Sequence, residues 1–351
     1  MSRFWSEITK ALVPYVPGEQ PQVDNIIKLN TNENPYGPAP GVLKAIAEQA
    51  NSELRRYPDP SASELKKAIA SWYGINADQV FCGNGSDEVL AHLFVAFFKG
   101  KKPILFPDVT YSFYPVYCQL YQIESVQIPL NAQFEIDVSD YHLKNGGIIF
   151  PNPNAPTGVY LKPVAIEQLL QANPDTVVVV DEAYVDFGGE SCIPLIDKYQ
   201  NLLVVQTLSK SRGMAGMRVG FACGDSSLIE GLERIKNSFN SYPMDRLAIV
   251  AGAASFQDKK YFAETTEQII FNRDFLTKGL QKLRFKVLPS KANFVFATHK
   301  INATVIMEAL REQNIFVRHF KGPRIDNYLR ISVGAYREIK ALLAALEQIV
   351  Q

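Results

Sequence analysis

The chain has 351 residues, enough for one large or two medium domains with an ample core. Lysine plus arginine number 36 and aspartate plus glutamate 36, so net charge is zero and no basic stripe argues for nucleic acid or an anionic membrane. Four cysteines (Cys82, Cys118, Cys192, Cys223) stand far apart and the four histidines do not cluster, so neither a metal site nor a disulfide framework is expected. Met1 to Gly18 has no long apolar core and no cleavage-like site, and no stretch reaches the length of a membrane span. A cytoplasmic setting is the default expectation.

The first thirty residues are rich in proline and polar residues, as in Pro14-Tyr15-Val16-Pro17-Gly18-Glu19-Gln20-Pro21. Prolines there predict an arm without regular structure, and Leu29 to Pro40 continues as loop. From residue 61 the pattern is α/β. Ser61 and Glu64 form a capping-box signature; Leu65, Ala68, Ile69, Trp72 and Tyr73 follow at helical spacing, and Gly74 stops the helix. Val80 to Cys82 reads as a strand, and the turn Gly83 to Asp87 enters a helix with Val89, Leu90, Leu93, Phe94 and Phe97 on its apolar face. Further strands are expected at Ile104–Phe106, Ser125–Ile128 and Ile148–Phe150, then a helix near Pro163–Ala172, the valine run Val177 to Val180, and strands near 202–206 and 218–222. Strands alternating with helices predict a mainly parallel central sheet with helices on both faces, and ligands at the strand C-terminal ends.

After about residue 245 the rhythm changes. A long helix is expected within 260–283, strands at 286–288, 294–297, 315–320 and 329–333, and helices at 302–313 and 336–350. The chain thus divides into an arm (1–30), a large domain (31–250) and a smaller α+β C-terminal domain (251–351).

Chemistry concentrates between 181 and 220. One apolar run ends in Asp181-Glu182-Ala183-Tyr184; the next ends in Thr207-Leu208-Ser209-Lys210; Arg218 stands eight residues further on. A carboxylate at a buried strand end is costly unless paired. An acid, an amine and a guanidinium on neighbouring strand ends are the set that holds pyridoxal phosphate. The lysine forms the Schiff base, the carboxylate keeps the pyridine nitrogen protonated, and the arginine takes the phosphate. The helix entered from Gly83–Asp87 offers backbone N–H groups to an anion; plain capping by Ser86 or Asp87 is the alternative. Asparagines in Pro151 to Gly158 suit a phenolate oxygen, and Tyr111 suits stacking on a ring.

These residues carry a resemblance over nearly the whole chain. Asn152-Pro153-Asn154-Ala155-Pro156-Thr157-Gly158, Asp181 to Tyr184 and Ser209-Lys210 with Arg218 resemble the fold-type I aminotransferases. Pro14 to Gly18, Leu29-Asn30-Thr31-Asn32-Glu33-Asn34-Pro35, Arg56-Tyr57-Pro58-Asp59 and Leu329 to Gly334 are similar to the histidinol-phosphate aminotransferases of the class II subgroup. The resemblance implies reversible amino transfer between histidinol phosphate or imidazole-acetol phosphate and glutamate or 2-oxoglutarate, in histidine biosynthesis. An aromatic-amino-acid aminotransferase or a threonine-phosphate decarboxylase on the same scaffold are the alternatives. It implies that Lys210, Asp181 and Tyr184 are catalytic, with 31–250 as the cofactor-binding domain. Ser86, Asp87, Thr207, Ser209 and Arg218 would hold the cofactor phosphate, Tyr111 would stack on the ring, and Tyr57 would reach the phosphate from the other subunit of a homodimer. Tyr15, Arg318 and Arg330 would bind substrate. Relatives carry asparagine where Ala155 stands; Asn154 or Asn152 is left to contact the ring oxygen.

Overall fold

The computed structural model describes residues 2–21 and 25–350. Positions 1 and 22–24 of the expected arm, and 351 of the expected small domain, lie outside the described residues. Strands in chain order are β1 (Ile27–Leu29), β2 (Val80–Asn84), β3 (Ile104–Pro107), β4 (Ser125–Ile128), β5 (Ile148–Pro151) and β6 (Val178–Asp181). They continue with β7 (Leu202–Thr207), β8 (Val219–Gly224), β9 (Lys286–Val287), β10 (Phe294–Thr298), β11 (Ile315–His319) and β12 (Tyr328–Ser332).

The valine run shows why the large sheet is a sandwich filling. Val178 and Val180 face an apolar layer with Ile166 and Leu169, whereas Val179 faces the opposite layer with Leu93 and Tyr114. A strand apolar on both faces needs cover on both. The sheet runs β2-β8-β7-β6-β5-β3-β4. β4, β3, β5, β6 and β7 are mutually parallel, while β8 lies antiparallel to both β7 and β2. The smaller sheet runs β1-β11-β12-β10-β9, with β1 parallel to β11 and the rest antiparallel. Its core joins Ile269, Leu276 and Leu280 of helix Lys259–Lys282 to Leu342 and Leu346 of helix Tyr336–Val350. None of the described helices is long and apolar enough to cross a membrane.

Three local expectations are corrected. The first thirty residues do contain regular structure: a helix Glu7–Ala11, capped by Ser6, and β1. Both fit between prolines, since Pro14, Pro17 and Pro21 fall in the connecting stretch. The helix Ser63–Tyr73 is not capped by a Ser61–Glu64 box; Ala62 is left-handed and Asp59 accepts from the N–H groups of Ser61 and Ser63 at 2.9 and 2.7 Å. Helices Pro40–Gln49, Tyr114–Tyr121, Ser226–Phe239 and Arg246–Ser255 were not anticipated. Arg246–Ser255 has most of its residues buried, so it has no polar face to give it a period.

Candidate active site

The antiparallel strand assembles the site. β6 ends at Asp181 and β7 ends at Thr207, followed by Ser209 and Lys210. β8 returns, so its start, not its end, lies on that edge: Gly220 pairs with Thr207 and Val219 with Asn84. Arg218, one residue before β8, therefore meets the turn that follows β2.

That turn is a cradle. Gly85 occupies the N-cap of helix Ser86–Leu93 at φ +84°, and no side chain caps the helix end. Neither Ser86 nor Asp87 thus caps it, and the anion-binding potential of the first N–H groups is unspent. A Cβ at Gly85 would collide with the Arg218 guanidinium, and one at Gly220 with the Ser86 nitrogen. Arg218 itself sits at φ +52°, a conformation costly for a residue with a side chain. Its Nη2 lies 3.2 Å from Asp87 Oδ2, and Tyr111 donates to Asp87 Oδ1 at 3.0 Å. Thr207 Oγ1 lies 3.0 Å from Ser209 Oγ and accepts from the Ser209 N–H at 3.1 Å, which turns both hydroxyls toward the same cradle.

Asp181 forms the floor. It is 5 % exposed, accepts from Tyr114 Oη at 3.0 Å and from the Ala183 N–H at 3.2 Å, and has no cation paired with it among the described residues. Burial pushes its pKa up to about 6, with the two hydrogen bonds pulling the other way. Its neighbour Glu182 is also buried but is fully engaged by Ser191, Cys192 N–H and Gln206. Lys210 Nζ donates to Thr31 O at 3.2 Å and lies 5.9 Å from the centre of the Tyr184 ring. Asn34 holds the lysine's own backbone, donating to the carbonyls of Lys210 and Ser211 at 2.9 and 3.1 Å. Tyr184 Oη accepts from Asn32 Nδ2 at 3.0 Å.

Above this floor stand two guanidiniums. Arg318 and Arg330 are directly opposed across β11 and β12, and both line the same cavity as Lys210 and Asp181. Like charges facing each other on a sheet repel. Neither forms an ion pair with an acid among the described residues: Arg330 donates to Asn30 O at 3.1 Å, and Arg318 to the carbonyls of Val16 and Pro17 at 3.2 and 3.4 Å. Burial pushes the Arg330 pKa down. Two unneutralised cations at one wall describe a receptor for an anion. Tyr15 also lines the cavity, packed 4.8 Å from Phe113 and 6.5 Å from Tyr111 between ring centres.

The cavity thus gathers Tyr15, Ser86, Asp87, Tyr111, Asp181, Tyr184, Thr207, Ser209, Lys210, Arg218, Arg318 and Arg330. Three expected residues are elsewhere. Asn154 does not line this cavity: its amide nitrogen donates to Val109 O at 3.0 Å and to Thr157 Oγ1 within its own turn at 2.9 Å. Asn152 is likewise spent, on the backbone of Leu161, and Ala155 faces the cavity instead. Tyr57 is 81 % exposed and stacks on Tyr242 at 4.8 Å, outside the cavity of its own chain. Arg324, a further cation near Arg318 in sequence, is taken by Asp108 at 2.8 Å and Asn131 O at 2.7 Å. Sequence reasoning did not assign roles to Asn32, Asn34 and Tyr114. The first two sit in the Leu29–Pro35 motif, which was the available signal; nothing marked Tyr114 apart from other core aromatics.

The donor set fits pyridoxal phosphate. A buried carboxylate lacking a cation suits a protonated ring nitrogen, and the cradle that a Cβ would fill suits a phosphate. Comparison with known proteins agrees with this chemistry. The model of the family "Aminotransferase class I and II" matches residues 24–349. A histidinol-phosphate aminotransferase of Pseudomonas aeruginosa is 60 % identical over 347 residues, covering 99 % of each chain. The structure of the histidinol-phosphate aminotransferase of Sinorhizobium meliloti, solved with pyridoxal-5'-phosphate, superposes with a TM-score of 0.90 at 23 % identity, covering 100 % of this chain and 98 % of that one. L-threonine-O-3-phosphate decarboxylase of Porphyromonas gingivalis superposes at 0.80 with 24 % identity, covering 93 % and 99 %. At such identities the two structures speak to fold alone. The match of the family model over residues 24–349 and the high identity of the Pseudomonas relative establish that the chain belongs to the class I and II aminotransferases.

Proposed function

We propose that this chain is a pyridoxal-phosphate-dependent histidinol-phosphate aminotransferase, working as a cytoplasmic homodimer. It would move an amino group reversibly between histidinol phosphate and 2-oxoglutarate, giving imidazole-acetol phosphate and glutamate. The observation that carries this reading is the single cavity joining a cation-free buried acid and a lysine to two opposed, unneutralised guanidiniums. Both amino donors are anionic at one end, carboxylate in glutamate and phosphate in histidinol phosphate, and a guanidinium fork accepts either. The decarboxylase shares the fold, so fold does not separate the two reactions; the 60 % identity to an aminotransferase favours amino transfer.

Bound pyridoxal phosphate supplies an electron sink for the charge left when the substrate Cα–H bond breaks. The chain's own residues do the rest. Asp181 keeps the ring nitrogen protonated by offering it a buried carboxylate. The N–H groups of Ser86 and Asp87, the hydroxyls of Thr207 and Ser209, and Arg218 hold the phosphate. Tyr111 would lie against the ring, and Tyr184 would donate to the phenolic oxygen. Lys210 Nζ, lining the same cavity, would carry the proton lost from the substrate Cα. Arg330 and Arg318 hold the anionic end of the substrate, and Tyr15 excludes water above it. Tyr57 of the partner subunit adds a hydroxyl to the phosphate; its exposure on its own chain supports that reading.

The direct test is an assay of the purified protein with glutamate or histidinol phosphate as donor, measuring the keto product, with carbon dioxide release from threonine phosphate followed in parallel. Keto product without carbon dioxide is expected; carbon dioxide release without transamination sinks the reading.

Asp181 sets a pH dependence. Its folded pKa, about 6, stands above the ordinary 3.8, so the folded, cofactor-free chain binds that proton more tightly than the unfolded chain. This group therefore costs stability as pH rises from about 4 through 6, on the order of 3 kcal/mol once ionised. In cofactor-free protein, Asp181→Asn is expected to raise the Tm at pH 7.5 more than at pH 4. Equal Tm differences at the two pH values would show that the carboxylate is already neutralised.

Lys210→Ala is expected to abolish turnover with the fold intact, and Tyr57→Phe to weaken cofactor retention. Mixing the two chains tests whether sites are shared. Verified hybrid dimers should contain one site with both wild-type residues and recover its full cofactor affinity and activity; hybrids without recovery would indicate self-contained subunits.

The arginines should divide the substrates. A phosphate monoester carries more charge and one more oxygen than a carboxylate, so a second guanidinium matters more to it. Arg318→Ala is expected to raise KM for histidinol phosphate more than for glutamate. Losing one charge-assisted bond is worth about 1.5–3 kcal/mol, or roughly tenfold or more in the ratio of kcat/KM values. An unchanged ratio would assign Arg318 a structural role.

A further inference from the structure

Asn32 is buried at 1 % exposure, in the left-handed region at φ +55°, and its amide orientation is set by the protein. Ser332 Oγ accepts from the Asn32 N–H at 2.9 Å, so its own proton is free to donate to Asn32 Oδ1, 3.0 Å away. The carbonyl end of the amide therefore faces Ser332, and the NH2 end faces Tyr184, donating to its Oη at 3.0 Å. Asn293 Nδ2 donates to the Asn32 backbone carbonyl at 2.9 Å. Because Tyr184 Oη accepts there, its own hydrogen is released to point elsewhere. Asn32, Tyr184 and Ala155 line one cavity, and the amide nitrogens of Asn152 and Asn154 are engaged elsewhere, with Leu161 O and with Val109 O and Thr157 Oγ1.

We propose that Asn32 is a positioning residue that acts through Tyr184, forcing the tyrosine proton toward the phenolic oxygen of the cofactor and strengthening that hydrogen bond where Ala155 offers none. The proposal rests on the pyridoxal phosphate reading above. The physics is a hydrogen-bond chain: a donor to the tyrosine oxygen makes its O–H a stronger donor. Ser332 lies two residues beyond Arg330 on β12. The same chain thus ties the orientation of Tyr184 to the strand that carries the anion receptor.

The readout is the pH at which the visible absorption of the bound cofactor changes. A hydrogen bond donated to the phenolic oxygen draws charge from it, so the protonated nitrogen beside that oxygen loses its proton at lower pH. Removing the bond moves the midpoint up. Tyr184→Phe is expected to raise it by about one pH unit or more, and Asn32→Gly, which suits a positive φ without strain, by about half a unit. Asn32→Asp keeps the shape and the Ser332 contact but can only accept, so it takes the tyrosine proton for itself. Its midpoint should approach that of Tyr184→Phe. In a Tyr184→Phe background, Asn32→Gly should add nothing. Wild-type midpoints in Asn32→Gly and Asn32→Asp, or the same increment with and without Tyr184, overturn the proposal, and either of the two Asn32 variants suffices if the other does not fold. A wild type that shows no visible band after loading overturns the cofactor reading and this proposal with it; a normal wild-type titration with unmoved variants overturns the proposal alone.

Discussion

A carboxylate buried at the end of β6, with no cation beside it among the described residues, is the constraint around which the rest of the cavity is arranged. Ionised Asp181 is held by a tyrosine hydroxyl and one backbone N–H, which is less than two oxygens in an apolar strand end require. The fold tolerates this because the strand itself is secured on both faces by apolar layers that are independent of the acid. Stability is drawn from the valines, and the acid is left unsatisfied at the point where a ligand can complete it. The opposed pair Arg318 and Arg330 repeats that logic with the sign reversed. Two cations are held face to face by sheet register and, among the described residues, given backbone carbonyls and aromatic faces but no acid as partners. A negative and a positive deficit in one cavity describe a ligand with a cationic ring nitrogen and a separate anionic group nearby.

The large sheet was legible because its strands are apolar on both faces and bounded by turn residues. The periodic, well-separated segments at Ser125–Ile128, Pro163–Ala172 and Lys259–Lys282 stand close to where the spacing puts them. Asp181, Lys210 and Arg218 could be read as a group for the same reason: each follows or precedes an apolar run. What could not be read was the direction of β8. A strand's pattern has no arrow, and only the antiparallel pairing explains why Arg218, at a strand start, shares an edge with residues at strand ends. Helix Arg246–Ser255 was missed for a related reason, since burial on nearly all sides erases the amphipathic period.

The other blind spot was the N-terminal stretch. Prolines at 14, 17 and 21 suggested an irregular arm, and local propensity was silent about β1, whose three residues become a strand only through a partner almost three hundred residues away. The Leu29–Pro35 motif was recognisable as a family mark without disclosing its work. In the structure Asn34 pins the backbone of Lys210, Thr31 accepts from its amine, and Asn32 meets Tyr184. Side-chain amides placed in loops have no sequence period, and their partners are set entirely by tertiary contacts. The same holds for Asn154, whose motif position suggested the ring but whose amide closes its own turn.

The place of β1 has a consequence for how this chain can be handled. β1 lies at the edge of the smaller sheet and covers the flank of β11. Ile315, Phe316 and Val317 are buried there in part by that cover. A chain shortened past Leu29 would present β11 as an open, apolar edge with unpaired backbone groups, the kind of surface on which strands of other molecules add. Solubility and active-site architecture are therefore coupled through one short segment: the three residues that shield the edge lead directly into those that touch the lysine.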